Sequence, residues 1–258
     1  MTHFSFARRA LCLAGLALLA LPRVGLAAEA PRTVAVLSLI GDEMSLVTRR
    51  TATGSSVDRN DRQAIALPDP SFDLAAALAA ERAIKEAMPG AERLRVSVAD
   101  KRLFALQEAV LEPGPTSDAM RTALQALLQD AKATHLVLIT KRRDNARFRL
   151  YDSHIGDGKV SGIGIFIDNA VGLEDPDTRI YGNGYIASYA YLQATLVDVA
   201  TMRALASGSA TESMMTTAIG TSAILAWDAL SPAGKVENLM KVADLAAYRA
   251  ARDVVAIR

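Results

Sequence analysis

Cysteine is all but missing from this sequence. The single one, Cys12, sits in the first apolar run, so residues 28–258 hold no thiol and can form no disulfide. A chain of that length can be held by burial alone, since folding removes roughly 70% of its unfolded surface from water. Aromatic side chains are scarce at 5%, against a hydrophobic fraction of 51%, so the core has to be built from Ala, Leu, Val and Ile. Charge of one sign is missing too. The leader carries Arg8, Arg9 and Arg23 and no acid, which leaves 26 basic residues against 28 acidic ones in residues 28–258, a net charge of −2. A near-neutral chain gives no electrostatic footing for nucleic acid.

Long hydrophobic runs are limited to one. Ala10 to Leu21 is 12 residues long, short of the roughly 20 needed to span a bilayer. Arg8-Arg9 precede it, Pro22 ends it, and Gly25-Leu26-Ala27 offers the small residues that a signal peptidase reads. This order is that of a secretory signal peptide cleaved after Ala27. Arg9-Ala10-Leu11 before Cys12 does not match a lipoprotein signal. The expectation is therefore a leader over 1–27 and a single periplasmic domain over 28–258, with no transmembrane segment once the leader is removed.

Thr33 to Ile40 is apolar in both alternating phases, as in a central and often parallel strand. A short strand over 44–48 follows, then a polar loop over 51–71. A helix is predicted over 73–88 with Leu74, Leu78, Ile84 and Met88 near one face, stopped by Pro89-Gly90. A strand over 94–98 and a helix over 101–111 come next. Met120, Ala123, Leu124, Leu127 and Leu128 then mark an amphipathic helix. His135 to Thr140 is a second strand apolar on both faces, and 148–151 and 161–167 are shorter ones. Residues 168–184 are read as an acidic, glycine-bearing loop. Tyr185 to Val199 is a long strand, with Ile186, Ala190, Leu192, Ala194 and Leu196 on one face and Tyr185, Tyr189 and Tyr191 on the other. Ala204 to Ala210 pairs back on it. Ser213 to Trp227 carries no charge. Ser231-Pro232 caps a last helix whose stripe runs from Val236 to Val254. The fold class is α/β (α+β), a mixed sheet flanked by helices.

From Thr33 to Ser207 this order resembles the amino-terminal domain of TolB, the periplasmic part of CsgG-type secretion proteins and the lipoprotein activators of penicillin-binding proteins. The likeness rests on the hydrophobic strand that follows Ala131 and on the Asp198-x-x-Thr201 turn closing the long strand. It implies an envelope location and a binding role.

The residues able to do chemistry form few patterns. No His-Glu-x-x-His, nucleophile elbow or phosphate loop occurs. Asp152 and His154 stand two apart in a polar turn, and Asp42-Glu43 follow the first strand, at the edge where α/β sheets bind ligands. Together these four are the candidates for a hydrolase of unrecognised type. Gly156, Gly158, Gly162 and Gly164 lack dinucleotide-loop spacing and read as turn and strand glycines. Asp168, Glu174, Asp175 and Asp177 are oxygen donors of the kind calcium takes, without EF-hand spacing. The candidate binding surface is Tyr185, Tyr189 and Tyr191 with Trp227, aromatics being common anchors of recognition. Cover by a helix is the competing expectation for the tyrosines. No cofactor is implied. The leading expectation is a non-enzymatic binding or accessory protein of the cell envelope, with an envelope protein or small ligand as partner. A small-ligand carrier using the uncharged segment as a lid is a third reading.

Overall fold

The run TVAVLS forms β1 (Thr33–Ser38), buried from Val34 onward because both of its faces are apolar and both are covered. The computed structural model describes residues 32–50, 60–98, 101–110, 118–150, 152–175, 177–219 and 225–256. The leader expected over 1–27 lies outside them. After β1 come β2 (Glu43–Thr48), β3 (Asp61–Ala66), α1 (Ser71–Ala87), β4 (Glu92–Val96), α2 (Lys101–Val110) and α3 (Asp118–Leu128). The chain continues with β5 (His135–Lys141), β6 (Arg143–Asn145), β7 (Phe148–Leu150), β8 (Ser153–Ile155) and β9 (Lys159–Glu174). It closes with β10 (Tyr181–Asp198), β11 (Arg203–Thr217), a 3-10 turn at Ala226–Ala229 and α4 (Pro232–Val255). Residues Pro31–Arg258 form one compact unit.

β1 lies between β4 and β5 and runs parallel to both. Val34, Val36 and Ile40 face α1 and α4, whereas Ala35, Leu37 and Leu39 face α2 and α3. The rest of the nine-stranded mixed sheet hangs on β10. One edge of β10 pairs with β11 from Tyr185 to Asp198. Its other edge changes partner midway, holding β9 from Tyr181 to Tyr191 and β5 from Leu192 to Asp198. The sheet therefore forks. One branch is β5–β1–β4 and the other is β9–β2–β3, with β2 parallel to β9. After β1 ends, the chain crosses the fork through Gly41-Asp42 to enter β2.

Helices α1 and α4 cover the fork's common face side by side. Arg82 pairs with Asp244 and Tyr248 donates to Glu86, the same offset of 162 residues each time, so the two helices run parallel. Ala76, Ala79, Ala80 and Ala83 meet Ala243, Ala246, Ala247 and Ala250 in this layer. Small side chains let helix axes approach closely, and this changes which face is buried. Leu74 and Leu78 are 46% and 41% exposed, and Val236 is 56% exposed, against the expectation that they line the core. The α4 cap holds: Ser231 accepts from the Gly234 N–H at 3.1 Å, with Pro232 opening the helix.

Two loops are corrected. Within 51–71 the structure places β3, a strand exposed along most of its length; such an edge strand has no apolar alternation to announce it. Residues 168–184 are mostly strand, since β9 and β10 continue as a hairpin whose turn is confined to 175–180. Of the uncharged segment, 213–217 end β11 and 226–227 open the 3-10 turn, while 220–224 lie outside the described residues. No helix among the described residues is long and apolar enough to cross a membrane.

Candidate functional site

The carboxyl ends of β1 and β5 meet the fork, and there the sheet buries a lysine. Lys141 ends β5 in register with Leu192, beside Gly162 of β9, whose φ of +59° and lack of a side chain make room for it. A Cβ on Gly162 would lie 2.8 Å from Lys141 Cγ, so the lysine stem lies directly on the glycine. Lys141 Nζ stands 2.8 Å from Asp42 Oδ1 and 3.7 Å from Glu43 Oε1. The lysine side chain is 4% exposed and the carboxylates 24% and 40%, so the ammonium is the desolvated member of the group.

Two helices complete the site. Asp73, near the start of α1, accepts from the Ile40 N–H at 2.8 Å and the Gly41 N–H at 3.2 Å. Burial raises its pKa above the ordinary carboxylate value; the bonds from Ser38, Ile40 and Gly41 oppose that, and the nearby Asp42 charge adds to it. A side chain at Gly41 would put its Cβ 2.6 Å from Asp73 Oδ2. From the other face, the buried amide of Gln107 on α2 accepts from the Lys141 N–H at 3.1 Å and donates to the Leu39 carbonyl. It thus satisfies backbone groups of β1 and β5 at the point where the two strands stop pairing. Chemically, the site is an ion-paired polar core flanked by a buried carboxyl, Asp73, whose burial favours its protonated form.

The other candidates lie elsewhere. Asp152 and His154 are exposed on the β7–β8 hairpin, a separate two-stranded sheet in which His154 faces Arg149. The structure does not bring them together with Asp42 and Glu43. Asp168 is 2% exposed, pairs with Arg49 at 2.6 Å and accepts from the Ala170 and Val171 N–H groups. Glu174 pairs with Arg179, and Asp175 accepts from the Asp177 and Thr178 backbone and from the Thr178 hydroxyl. The acidic residues are therefore shared among a buried ion pair and a hairpin turn, with Asp177 exposed. No group of three or more His, Cys, Asp or Glu able to hold a metal occurs among the described residues.

The tyrosine surface is corrected as well. Tyr185, Tyr189 and Tyr191 are at most 2% exposed and pack with Phe148 and Phe166. The Phe148 and Phe166 ring centroids are 5.0 Å apart, and those of Tyr189 and Tyr191 5.7 Å. Their cover is the β7–β8 hairpin, which contributes Phe148, Leu150 and Ile155, and not a helix. Tyr191 accepts from the Arg147 N–H and donates to the Arg147 carbonyl. Burial holds the Tyr185 and Tyr189 phenols well above their ordinary pKa. Gly164 is the register partner of Tyr189, and a Cβ there would fall 2.4 Å from the Tyr189 hydroxyl, so this β-strand glycine exists for the ring beside it. Trp227 is half-buried, with Lys235 Nζ 4.1 Å from its ring centroid.

Lys141, Gln107 and Asp73 were not among the sequence candidates. Lys141 directly follows the apolar run HLVLIT, but in sequence it is only the first of four charged residues, Lys141 to Asp144. Gln107 and Asp73 are ordinary helix residues in sequence, and only the meeting of β1 with α1 and α2 marks them.

No family model matches the chain, and no curated protein matches it. Among solved structures, it is similar to a Xanthomonas campestris protein of family DUF330 at 12% identity and a TM-score of 0.33, over 87% of this chain and 81% of that one. It is also similar to a putative neuraminyllactose-binding hemagglutinin homolog from Helicobacter pylori at 8% identity and a TM-score of 0.34, over 85% and 80%. Likeness at this level says nothing of activity, ligand or partner. Neither is described as a TolB, CsgG-type or penicillin-binding-protein activator protein.

Proposed function

We propose that this chain is exported by its first 27 residues and works in the periplasm as a non-enzymatic binding or accessory protein of the cell envelope. The observation that carries this reading is the closure of Asp42 and Glu43 on Lys141. These carboxylates stand at the strand ends where an α/β sheet would place acid–base chemistry, and their charge is spent on keeping a buried ammonium in the sheet. The near carboxylate stands 2.8 Å from that ammonium. The export reading rests on Arg8-Arg9, the apolar run and the small residues before Ala27. The resemblance of element order to envelope proteins of the TolB, CsgG and activator kind belongs to the same reading, on the Asp198 to Thr201 turn and the buried strand after Ala131.

The test is fractionation followed by chemical crosslinking in intact envelopes and capture of the tagged protein. The expected result is a processed protein in the periplasmic fraction, crosslinked to a defined envelope component. The reading fails if the purified protein turns over an ester, phosphate or peptide substrate and loses that activity in D42N/E43Q or in H154A.

A further inference from the structure

β11 is the longest sheet edge among the described residues, 15 residues paired on one side to β10 and to no strand on the other. None of its residues is fully buried. An open edge presents a row of unpaired N–H and C=O groups, which only another extended backbone satisfies in full, and edges are commonly blunted with lysine or proline. β11 has neither; its charges are Arg203 and Glu212, and Glu212 is engaged by Arg249 of α4. A bulge at Leu205, where Leu196 pairs with Ala206 and Val197 with Ala204, bounds the regular stretch on its amino-terminal side.

The sequence at the centre of this edge reads the same in both directions: Ala206-Ser207-Gly208-Ser209-Ala210. An antiparallel strand pair about a two-fold axis sets each residue against its mirror position. We propose that two copies of this chain pair edge to edge through β11, antiparallel, with the axis at Gly208. Ser207 then lies opposite Ser209 of the partner copy, and Ala206 opposite its Ala210. The regular stretch from Ala206 to Ala210 carries no charge, so no like charges face each other there, which favours cross-strand pairing. Ser207 and Ser209 are exposed on the face away from α4, where they can meet a partner. On the other face α4 lies tightly on Gly208, where a Cβ would come 3.0 Å from Asp253 Cβ, so that face is already covered at the axis. The result is one continuous sheet across both copies. The inference is independent of the envelope reading, since it needs only this chain.

The register makes the test specific. Opposed residues of an antiparallel pair have Cα atoms about 4.5–5.5 Å apart, within the span a disulfide bridges. In a Cys12→Ser background, S207C/S209C places a cysteine opposite a cysteine of the partner copy at two points. S207C alone and S209C alone place each cysteine opposite a serine. Mild oxidation of the purified protein is expected to crosslink the double variant into a covalent dimer and to leave both single variants uncrosslinked. Sedimentation velocity across a wide concentration range is expected to show twice the chain mass for the unsubstituted protein. Arg142 donates to Ser209 at 2.6 Å, so the partner's Ser207 position lies beside that guanidinium. S207K, which sets a second cation beside that guanidinium and a lysine on the sheet edge, should therefore weaken the dimer, with unchanged circular dichroism. A monomer at every concentration overturns the proposal. So do single cysteines that crosslink as well as the pair, or a dimer indifferent to S207K.

Discussion

Lys141→Met and the double change D42N/E43Q remove opposite sides of one ion-pair group, and the structure says their costs differ. Methionine keeps an unbranched stem on Gly162, so K141M removes the charge with little loss of packing. The carboxylates left behind are 24% and 40% exposed, so each side chain reaches water although Asp42 Oδ1 itself is buried. Breaking a buried pair costs about 3–5 kcal/mol when the remaining charge stays buried, and exposed pairs are worth about 0–1 kcal/mol. K141M belongs near the exposed limit, about 1 kcal/mol. D42N/E43Q leaves the ammonium at 4% exposure without the Asp42 and Glu43 charges and belongs near the buried limit, about 3 kcal/mol. The triple variant should return to about the K141M value, because the buried charge is gone. Urea unfolding followed by circular dichroism resolves this: with a slope of about 2–3 kcal/mol per molar, the double variant lowers the midpoint by about 1 M. A cost for K141M equal to or above that of D42N/E43Q would refute the assignment of the lysine as the desolvated member.

G164A should cost about 1–3 kcal/mol, because its Cβ would fall 2.2 Å from the Ser45 carbonyl oxygen, whereas G90A has open space and should leave the thermal midpoint nearly unchanged. Q107L leaves the Lys141 N–H and Leu39 carbonyl without their partner at a cost of about 2 kcal/mol or more, and hydrogen exchange at the Lys141 amide should quicken. The raised pKa of Asp73 means the folded state holds its proton where the unfolded state, near 3.8, has lost it. Its contribution to stability is thus full below 3.8 and declines as pH rises through the folded value. The stability of the unsubstituted protein relative to D73N should therefore fall as pH rises from about 4, by urea titration at each pH; a difference that grows with pH would contradict the assignment.

Elements with strong local chemistry were readable in the chain. β1 and β5 are apolar in both phases and emerged as neighbouring parallel strands buried on both faces. Met120, Leu124 and Leu128 of α3 fell on the core face as their spacing required. The Asp198 turn formed as written, with Oδ1 accepting from the Thr201 N–H at 2.7 Å. What failed did so where burial depends on a partner remote in sequence. Leu74 and Leu78 look like core by hydropathy, but the alanines of α1 have alanines of α4 to meet and the leucines do not. The tyrosine face was assigned correctly as a face, yet its cover comes from a hairpin of three-residue strands that are too short to carry a periodic signal.

The site at the fork shows the same limit more sharply. β10 changes partner between Tyr191 and Leu192, and the chain crosses the fork again between β1 and β2. At that junction the regular ladder gives way, and peptide groups that a continuous strand would satisfy need other partners. Gln107 serves Leu39 and Lys141, and Asp73 serves Ile40 and Gly41. The polar residues there answer a topological demand. Because that demand is set by strands roughly a hundred residues apart in sequence, no window of the chain contains it, and Asp42 and Glu43 were visible only as two acids in a turn. The same logic separates this site from β11, whose palindrome is local and whose chemistry is that of an edge left open. The peptide groups at the fork are met by Gln107 and Asp73 of the same chain, whereas the outer edge of β11 finds its match in a second strand.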